Sequence, residues 1–412
     1  MNAPPLEVAD VLRAYGPAYL EAYGDKLSVQ QHRVVRDLVR CRTAELGGHV
    51  EACDHCGHRR IAYNSCRNRH CPKCQATNRA RWLDERAAEL LPVEYFHVVF
   101  TLPDELGPLA LQNPRVIYGT LFHASAATML QIAADTEHLG ADIGFLSVLH
   151  TWGQNLHLHP HVHCVVPGGG LSRDGDRWVA CSPGFFLPVK VLSRLFRGKF
   201  LAALEQHFRR DGLAFHGKQL ALADPAAFFE LTQTLRKREW VVYAKPPFGG
   251  PEQVLKYLAR YTHRVAISNS RLVKMEDGNV HFTWKDYADG NAQKVMALPA
   301  FEFIRRFLQH VMPSGFVRIR HYGLLANRHR QEMLQRCREL QRVRAPESCE
   351  QTSPASVPET PEPVSTAPSW QSCPSCGRGR MIWVEGVERT RPCTPPDPGG
   401  DVVVEELVWN SS

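Results

Sequence analysis

Leu156 to Val166 reads LHLHPHVHCVV, with histidine at every second position from His157 to His163. Side chains at this spacing in a β-strand point to one face, so His161 and His163 should present two imidazoles side by side. Pro160 has no N–H for a ladder hydrogen bond, so we expect the strand pairing to be interrupted within the run. Two neutral imidazoles and one further ligand form a divalent-metal site with open coordination positions. The alternative is a strand whose histidines are satisfied by hydrogen bonds within the protein.

Composition and charge narrow the class of protein. The chain has 412 residues, 44% hydrophobic and 22% charged, which is enough for two or three domains with a sizeable core. Its net charge is +7 and arginine is clustered, which favours a polyanionic partner. The first residues do not resemble a signal peptide, and no apolar run approaches the roughly 18 residues of a membrane span. The 13 cysteines therefore indicate metal binding in a reducing cytoplasm rather than disulfides.

A compact cysteine-rich stretch precedes the histidine strand. The pairs Cys53/Cys56 and Cys71/Cys74 are each of the form Cys-x2-Cys and are separated by 14 residues. Two such pairs clamp a tetrahedral zinc from tight turns, so these four thiolates predict a structural zinc site. The remaining metal-ligating side chains would form a second site or replace one of these ligands: Cys41, His49, Cys66 and His70.

Basic residues lie between and beyond these cysteines, among them Arg67, Arg69 and Lys73. A rigid zinc module carrying arginine and lysine is suited to phosphate contacts. The alternative is a solvated basic surface without a partner.

A second stretch with candidate chemistry, Pro251 to Asn269, reads PEQVLKYLARYTHRVAISN. It begins like a helix, with proline in the first turn and an acid after it. Tyr257 and Tyr261 are four residues apart and therefore share one helix face. Two core aromatics would have the same spacing, but Arg260 and Arg264 beside them disfavour a purely apolar face.

Strand-like and helical segments alternate along the rest of the chain. Aromatic and β-branched runs at 95–102, 144–151 and 240–245 predict buried strands, while 113–140, 187–210, 223–238 and 301–311 predict helices. Asp277-Gly278 and Asp289-Gly290 predict hairpin turns. We therefore expect an α+β fold in which helices pack on one mainly antiparallel sheet.

These patterns divide the chain into five parts. Residues 1–40 are predicted to form amphipathic helices, 41–92 the zinc module, and 93–344 the domain that carries the histidine strand. Pro, Ser, Thr and Glu dominate 345–372, which predicts a disordered linker. Residues 373–412 form a tail in which Cys373 and Cys376 resemble half of a zinc ribbon, with Cys393 the later thiol. We expect this half-site to be decayed or completed by a partner.

The histidine pair and the tyrosine pair together suit one reaction. A divalent metal on His161 and His163 would polarise a scissile phosphate. A tyrosine hydroxyl would attack that phosphate and hold the cut strand covalently. The sequence contains no Gly-x4-Gly-Lys-Ser/Thr loop for ATP.

The sequence resembles the HUH single-strand nucleases, and most closely the rolling-circle transposases of the insertion-sequence-91 family. The matching stretches are NSCRNRHCPKC at 64–74, YFHVVFTLP at 95–103, HLHPHVHCVVPGGG at 157–170, YLARYTHRVAIS at 257–268 and HYGLL at 321–325. The resemblance implies a transposase with an RRM-like antiparallel catalytic sheet, an N-terminal zinc-binding domain and single-stranded DNA as its partner. It implies Mg²⁺ or Mn²⁺ on His161 and His163, with Tyr257 and Tyr261 as nucleophiles.

In such an enzyme, DNA recombination proceeds by nicking and rejoining element ends through a 5′-phosphotyrosine intermediate. A bacterial enzyme of this kind would be cytoplasmic and nucleoid-associated. The third metal ligand varies in HUH sites, and the candidates here are His97, His157 and His159. The candidate DNA-contacting residues are Arg67, Arg69, Lys73, Arg260 and Arg264.

Two other functions remain open on the sequence. HPHVHCVV at 159–166 also resembles the histidine triad of nucleotidyl hydrolases, in which a histidine is the nucleophile. The third possibility is a non-catalytic zinc-containing DNA-binding protein. The side chain that becomes linked to phosphate separates the first two functions, and replacing both tyrosines by phenylalanine would leave the third intact.

Overall fold

The computed structural model describes residues 6–75, 89–184, 186–245, 253–254, 266–287, 289–344 and 372–390. The chain divides into two compact units. The large unit comprises Met1–Val39 and Arg67–Thr360, and the small unit comprises Arg40–Cys66 and Pro361–Ser412. The small unit joins two segments that are distant in the sequence, and the five-part division stays a prediction.

The helices are α1 (Val8–Tyr23), α2 (Val29–Arg40), α3 (Gly107–Gln112), α4 (Pro114–Ala134), α5 (Val189–Arg209), α6 (Pro225–Lys237), α7 (Ala300–Gln309) and α8 (Arg330–Arg344). The strands are β1 (Gly48–Cys53), β2 (Arg59–Tyr63), β3 (Tyr95–Thr101), β4 (Gly144–Trp152), β5 (Leu158–Pro167), β6 (Gly169–Leu171), β7 (Trp178–Ala180), β8 (Val242–Lys245), β9 (Leu272–Glu276), β10 (Asn279–Asp286), β11 (Ala292–Pro299), β12 (Ile319–Gly323) and β13 (Met381–Val387). Strands β1, β2 and β13 form the sheet of the small unit.

The central sheet of the large unit has five strands in the order β12-β4-β5-β3-β8, and every neighbouring pair is antiparallel. This confirms the predicted α+β fold with helices on an antiparallel sheet. The Asp277-Gly278 turn also joins β9 to β10 as expected, with φ of 49° and 73° at its two residues. Positive φ at both positions is what a type I′ hairpin turn requires.

The two faces of the central sheet differ because side chains alternate along each strand. Val162, Cys164 and Val166 of β5 belong to the large apolar core, together with Phe122 of α4 and Phe196 of α5. The residues between them lie on the opposite face, so the histidines of β5 are turned away from the helical core.

Helix α4 is rich in apolar residues, and it is the one described helix with the length and hydropathy of a membrane span. However, 67% of its most apolar window is buried inside the protein. Its residues Leu121 and Met129 are fully buried in the core cluster beneath the sheet. Helix α4 is therefore explained as a core helix.

A β-bulge lies at the start of the histidine strand. His150 pairs with His161, but Trp152 pairs with Leu158, so the single residue Thr151 faces two residues of β5. One of those two is Pro160, which has no N–H to donate, and proline is tolerated in sheets at such irregular positions. The predicted interruption of the pairing at Pro160 is confirmed, and it sets the register that brings His150 opposite His161.

Alanine at Gly323 is expected to destabilise the large unit. Gly323 ends β12 with φ of +57°, and a Cβ there would overlap the carbonyl oxygen of Ile143. We expect a loss of about 2 to 4 kcal/mol in the free energy of unfolding, from backbone strain and steric overlap. Urea unfolding followed by tryptophan fluorescence measures this loss. The control is Gly119→Ala in α4, where a Cβ meets no atom within 4 Å. Equal stability of the two variants would contradict the expectation.

Candidate functional site

Three imidazoles converge on the face of the sheet opposite the helical core. They belong to His150 of β4 and to His161 and His163 of β5, and their ligand nitrogens all lie within 4.8 Å of one another. His150 and His163 are buried and His161 is half-buried. Three imidazoles are a donor set for divalent metal ions. The structure thus brings together the two predicted ligands and adds a third from a neighbouring strand.

The ring of His161 is held in one tautomer. Its Nδ1 lies 2.6 Å from the backbone oxygen of His159. Because a carbonyl oxygen only accepts, Nδ1 carries the proton and Nε2 keeps the lone pair that a metal requires. Burial, with a smaller contribution from the nearby His159, lowers the pKa of His161 to about 4. The neutral, metal-binding form therefore prevails at neutral pH.

His163 is oriented by His97 of β3. Its Nδ1 lies 2.8 Å from Nε2 of His97, and the two rings are stacked with centroids 5.0 Å apart. A proton on His163 Nδ1 makes it the donor of this bond and leaves the lone pair of Nε2 for a cation. Nε2 of His97 thus contacts the imidazole of His163, and His97 is not part of the group of three. His97, one of the candidate third ligands, thus fits the role of a residue that orients a ligand.

The third member of the group, His150, is not among the metal ligands predicted from the sequence. Its ring stacks on Trp152, with centroids 4.6 Å apart and planes at 22°. The sequence offers one signal for this ligand, a histidine within the buried strand GFLSVLHTW. Its position opposite His161, however, depends on the strand register. The other two candidates, His157 and His159, are not part of the group that the described residues form. His159 Nδ1 instead lies 3.7 Å from the carboxylate of Asp104.

The two tyrosines and their flanking arginines lie outside the described residues, which stop at 254 and resume at 266. These residues are Tyr257, Arg260, Tyr261 and Arg264.

The residue Val254, three positions before the first tyrosine, is described. It is fully buried in an apolar cluster with Leu146, Val148 and Val165. Val148 pairs with His163 across β4 and β5, so this cluster borders the three histidines on their face of the sheet. Val254 is therefore anchored on the histidine face.

The four thiols predicted to bind one zinc do not form one group among the described residues. Cys53 and Cys56 group with Cys373 and Cys376 of the small unit, and the four sulfur atoms lie within 4.8 Å of one another. Four ligands complete a tetrahedral zinc site without Cys71 and Cys74. The ribbon half at Cys373 thus lies beside two further thiols of the same chain, so that four thiols are present without a partner.

The other cysteines of the zinc module are Cys41, Cys71 and Cys74, which are buried, and Cys66, which is half-buried. His70, a possible additional ligand, uses both ring nitrogens inside the large unit. Its Nε2 accepts a hydrogen bond from the backbone N–H of Met312 at 3.1 Å, and its Nδ1 lies 3.2 Å from Oδ1 of Asn68. Burial, followed by the charge of Arg69, lowers the pKa of His70 to about 3. A neutral, doubly hydrogen-bonded imidazole is explained as a structural residue.

The candidate phosphate-binding residues differ in their contacts. The guanidinium of Arg69 donates to the backbone oxygens of Phe316 at 2.5 Å and Pro313 at 2.6 Å. Lys73 forms an ion pair with Glu7 at 2.5 Å. Arg67 is exposed, with a left-handed backbone at φ of 53°. Arg69 and Lys73 are thus engaged within the large unit, and Arg67 is the most accessible of these three side chains.

Family comparisons agree with this arrangement. A model described as "Putative transposase" matches residues 144–332, which include β4 and β5, and a "Transposase zinc-binding domain" of the insertion-sequence-91 type matches residues 11–102. The protein "Putative transposase y4qJ" of Sinorhizobium fredii is 58% identical over 379 residues, covering 92% of this chain and 95% of the relative. The chain belongs to the insertion-sequence-91 family of transposases.

A more distant relative of this transposase is the "Transposase for insertion sequence element IS801" of Pseudomonas savastanoi pv. phaseolicola. It is 27% identical over 304 residues, covering 71% of this chain and 70% of the relative. Among solved structures, the conjugative relaxase TrwC in complex with OriT DNA is 16% identical, with a TM-score of 0.23, covering 60% of the transposase and 71% of the relaxase. At this TM-score the two chains do not superpose closely enough to equate individual positions.

Proposed function

We propose that this transposase nicks and rejoins single-stranded DNA at insertion-element ends through a covalent 5′-phosphotyrosine. The observation that carries the proposal is the convergence of His150, His161 and His163 on one sheet face. Imidazoles suit transition-metal ions better than Mg²⁺, so Mn²⁺ is the better fit of the two expected cations. When bound, such a cation polarises the scissile phosphate and offsets its charge. Because the proposed substrate is DNA, we propose that the enzyme acts at the nucleoid of its bacterial host.

The rings of the three histidines are held in fixed orientations before DNA binds. The hydrogen bond from His161 to its own strand leaves Nε2 for the cation, and stacking on Trp152 restricts the ring of His150. The contact between His97 and His163 fixes the second ligand of β5. Fixing each ring in advance means that little conformational freedom is lost when the cation and the phosphate bind.

The nucleophile in this proposal is Tyr257 or Tyr261. Val254 is buried beside Val148, the cross-strand partner of His163. Tyr257 follows this buried valine by three positions in the sequence. This closeness in the sequence supports a nucleophile from this stretch.

In the proposed cleavage step, the tyrosine oxygen attacks the phosphorus, and a bond forms between them. The tyrosine hydroxyl gives up its proton in this step. The bond from phosphorus to the 3′ oxygen breaks, and that oxygen takes up a proton and leaves as a free 3′ hydroxyl, so that no proton is gained or lost overall. The other side of the cut remains as a 5′-phosphotyrosine. Because the new ester retains the energy of the broken linkage, rejoining by a 3′ hydroxyl needs no ATP.

The adduct itself tests the proposal. After incubation of the full chain with labelled single-stranded element ends and Mn²⁺, we expect mass spectrometry to find a nucleotide on Tyr257 or Tyr261. The double variant Tyr257→Phe/Tyr261→Phe should form no adduct, because a phenyl ring has no nucleophilic oxygen. The control is Tyr287→Phe, which removes the hydroxyl of an exposed tyrosine after β10. An adduct on histidine, or cleavage by the double variant, would instead support one of the alternative functions.

The structural zinc content follows from the cysteines. With Cys53 and Cys56 assigned to the small unit, four thiols of the N-terminal stretch remain within 34 residues: Cys41, Cys66, Cys71 and Cys74. Cysteine thiolates are the usual ligands of structural zinc. The transposase is therefore proposed to contain structural zinc.

A further inference from the structure

The two Cys-x2-Cys-Gly stretches of the small unit fold alike, although they lie near opposite ends of the chain. They read CDHCG at 53–57 and CPSCG at 373–377. Gly57 and Gly377 have φ of 68° and 65°, and their N–H groups donate to the carbonyls of Cys53 and Cys373 at 3.1 and 2.9 Å. In each turn the sulfur of the first cysteine also accepts a backbone N–H at 3.4 Å. Both stretches therefore have the tight turn from which two thiolates clamp one zinc.

The spacing of the sulfur atoms also fits zinc. Cys53 Sγ lies 3.7 Å from Cys376 Sγ, and Cys56 Sγ lies 3.7 Å from Cys373 Sγ. Thiolates at the usual Zn–S distance of about 2.3 Å in a tetrahedron stand roughly 3.8 Å apart. Two of the six sulfur–sulfur distances thus already match a zinc tetrahedron, and all four sulfurs lie within 4.8 Å of one another.

The backbone joins the two turns independently of the sulfurs. Strand β13 pairs with β1 over six residue pairs, from Cys53 with Met381 to Gly48 with Val387. Beyond the strands, Asp54 N–H donates to the carbonyl of Arg380 at 3.0 Å, and Arg380 N–H donates to the Asp54 carboxylate at 2.7 Å. The two cysteine turns are therefore joined by strand pairing that does not depend on their sulfur atoms.

Gly379 lies where the two turns approach most closely. A Cβ at this position would overlap the sulfur of Cys53 and stand 2.6 Å from Cβ of His55. Gly379 N–H also donates to the sulfur of Cys376 at 3.4 Å. Only glycine leaves room at this position for a ligand from the other turn.

We propose that Cys53, Cys56, Cys373 and Cys376 bind one structural zinc ion, so that the C-terminal segment is half of the N-terminal zinc domain. The matched zinc-binding region, residues 11–102, then contains only two of the four ligands of this ion. The whole histidine-bearing domain is inserted between the two halves of one zinc ribbon. A chain that ends before Cys373 would lose this zinc ion although its N-terminal cysteines are intact.

Disulfide trapping tests the ligand set in the full chain. Diamide is added to the folded, zinc-loaded chain, where it oxidises neighbouring thiolate pairs to disulfides, is itself reduced to the hydrazine, and thereby releases the zinc. We expect mass spectrometry to find peptides that link Cys53 or Cys56 to Cys373 or Cys376, with zinc released in proportion to these links. Links of Cys53 or Cys56 only to Cys71 or Cys74 would overturn the proposal.

Two glycine variants test the approach of the turns. Gly379→Ala should weaken zinc binding by about 10- to 100-fold in competition with a chromogenic chelator, the size of an outer-shell effect. Gly386→Ala in β13 is the matched control, because a Cβ there meets nothing within 4 Å. Equal zinc affinity of the two variants would contradict the proposed site. A chain without nuclease activity would give the same results, so this test is independent of the proposed function.

Discussion

His150→Ala is expected to lower the rate of DNA cleavage about 10³-fold, with DNA binding largely retained. A bound cation contributes several kcal/mol to transition-state stabilisation, and each 1.36 kcal/mol corresponds to a tenfold change in rate. His150 supplies one of three imidazoles within 4.8 Å, and its removal leaves a site of two. The measurement is the single-turnover cleavage rate of labelled single-stranded DNA at fixed Mn²⁺, together with binding of the same DNA.

The matched control for this prediction is His159→Ala. His159 lies on β5 two residues before His161, but its imidazole is more exposed and does not belong to the histidine group. The contact that orients His161 comes from the backbone oxygen of residue 159, which alanine retains. We therefore expect a cleavage rate close to that of the unmodified chain. Equal losses in His150→Ala and His159→Ala would show that the group of three does not hold the cation.

The histidine site illustrates what local periodicity predicts and what it leaves undetermined. The alternation along β5 was sufficient to place His161 and His163 on one face, because this depends only on the pleat. The third imidazole comes from β4, and its position depends on how two strands pair. That register is set by a bulge that includes Pro160, and the sequence around His150 alone does not encode it.

The zinc module shows the same limit over a longer distance. Each Cys-x2-Cys pair was recognisable because its turn is local, but Cys53 contacts Cys376, which lies 323 positions away. Closeness in the sequence therefore favours Cys71 and Cys74 as the partners of Cys53 and Cys56. The basic residues show the same limit. Their charge alone does not distinguish the exposed Arg67 from Arg69, whose guanidinium contacts the carbonyl oxygens of Pro313 and Phe316.

Zinc removal is expected to unfold the small unit and to leave the large unit folded. Within the described part of the small unit, the buried apolar side chains are Cys41, Cys53, Cys373 and Met381, so it has almost no hydrophobic core apart from cysteines. Structural zinc contributes about 10 to 16 kcal/mol of binding free energy in small zinc-finger peptides, and that binding drives their folding. The large unit, by contrast, has an extensive apolar core around the central sheet.

Hydrogen exchange with and without a chelator measures this difference in one sample. Backbone amides of β1, β2 and β13 should lose their protection, whereas those of β3, β4 and β5 should keep it. Added Zn²⁺ should restore the protection and Mn²⁺ should not, which separates the thiolate site from the histidine site in the same chain. Thiolates prefer zinc to manganese, whereas the imidazoles of β4 and β5 accept either ion. If β13 stayed protected after zinc removal, the strand pairing with β1 would suffice for stability, and zinc would not be the main stabilising element of this unit.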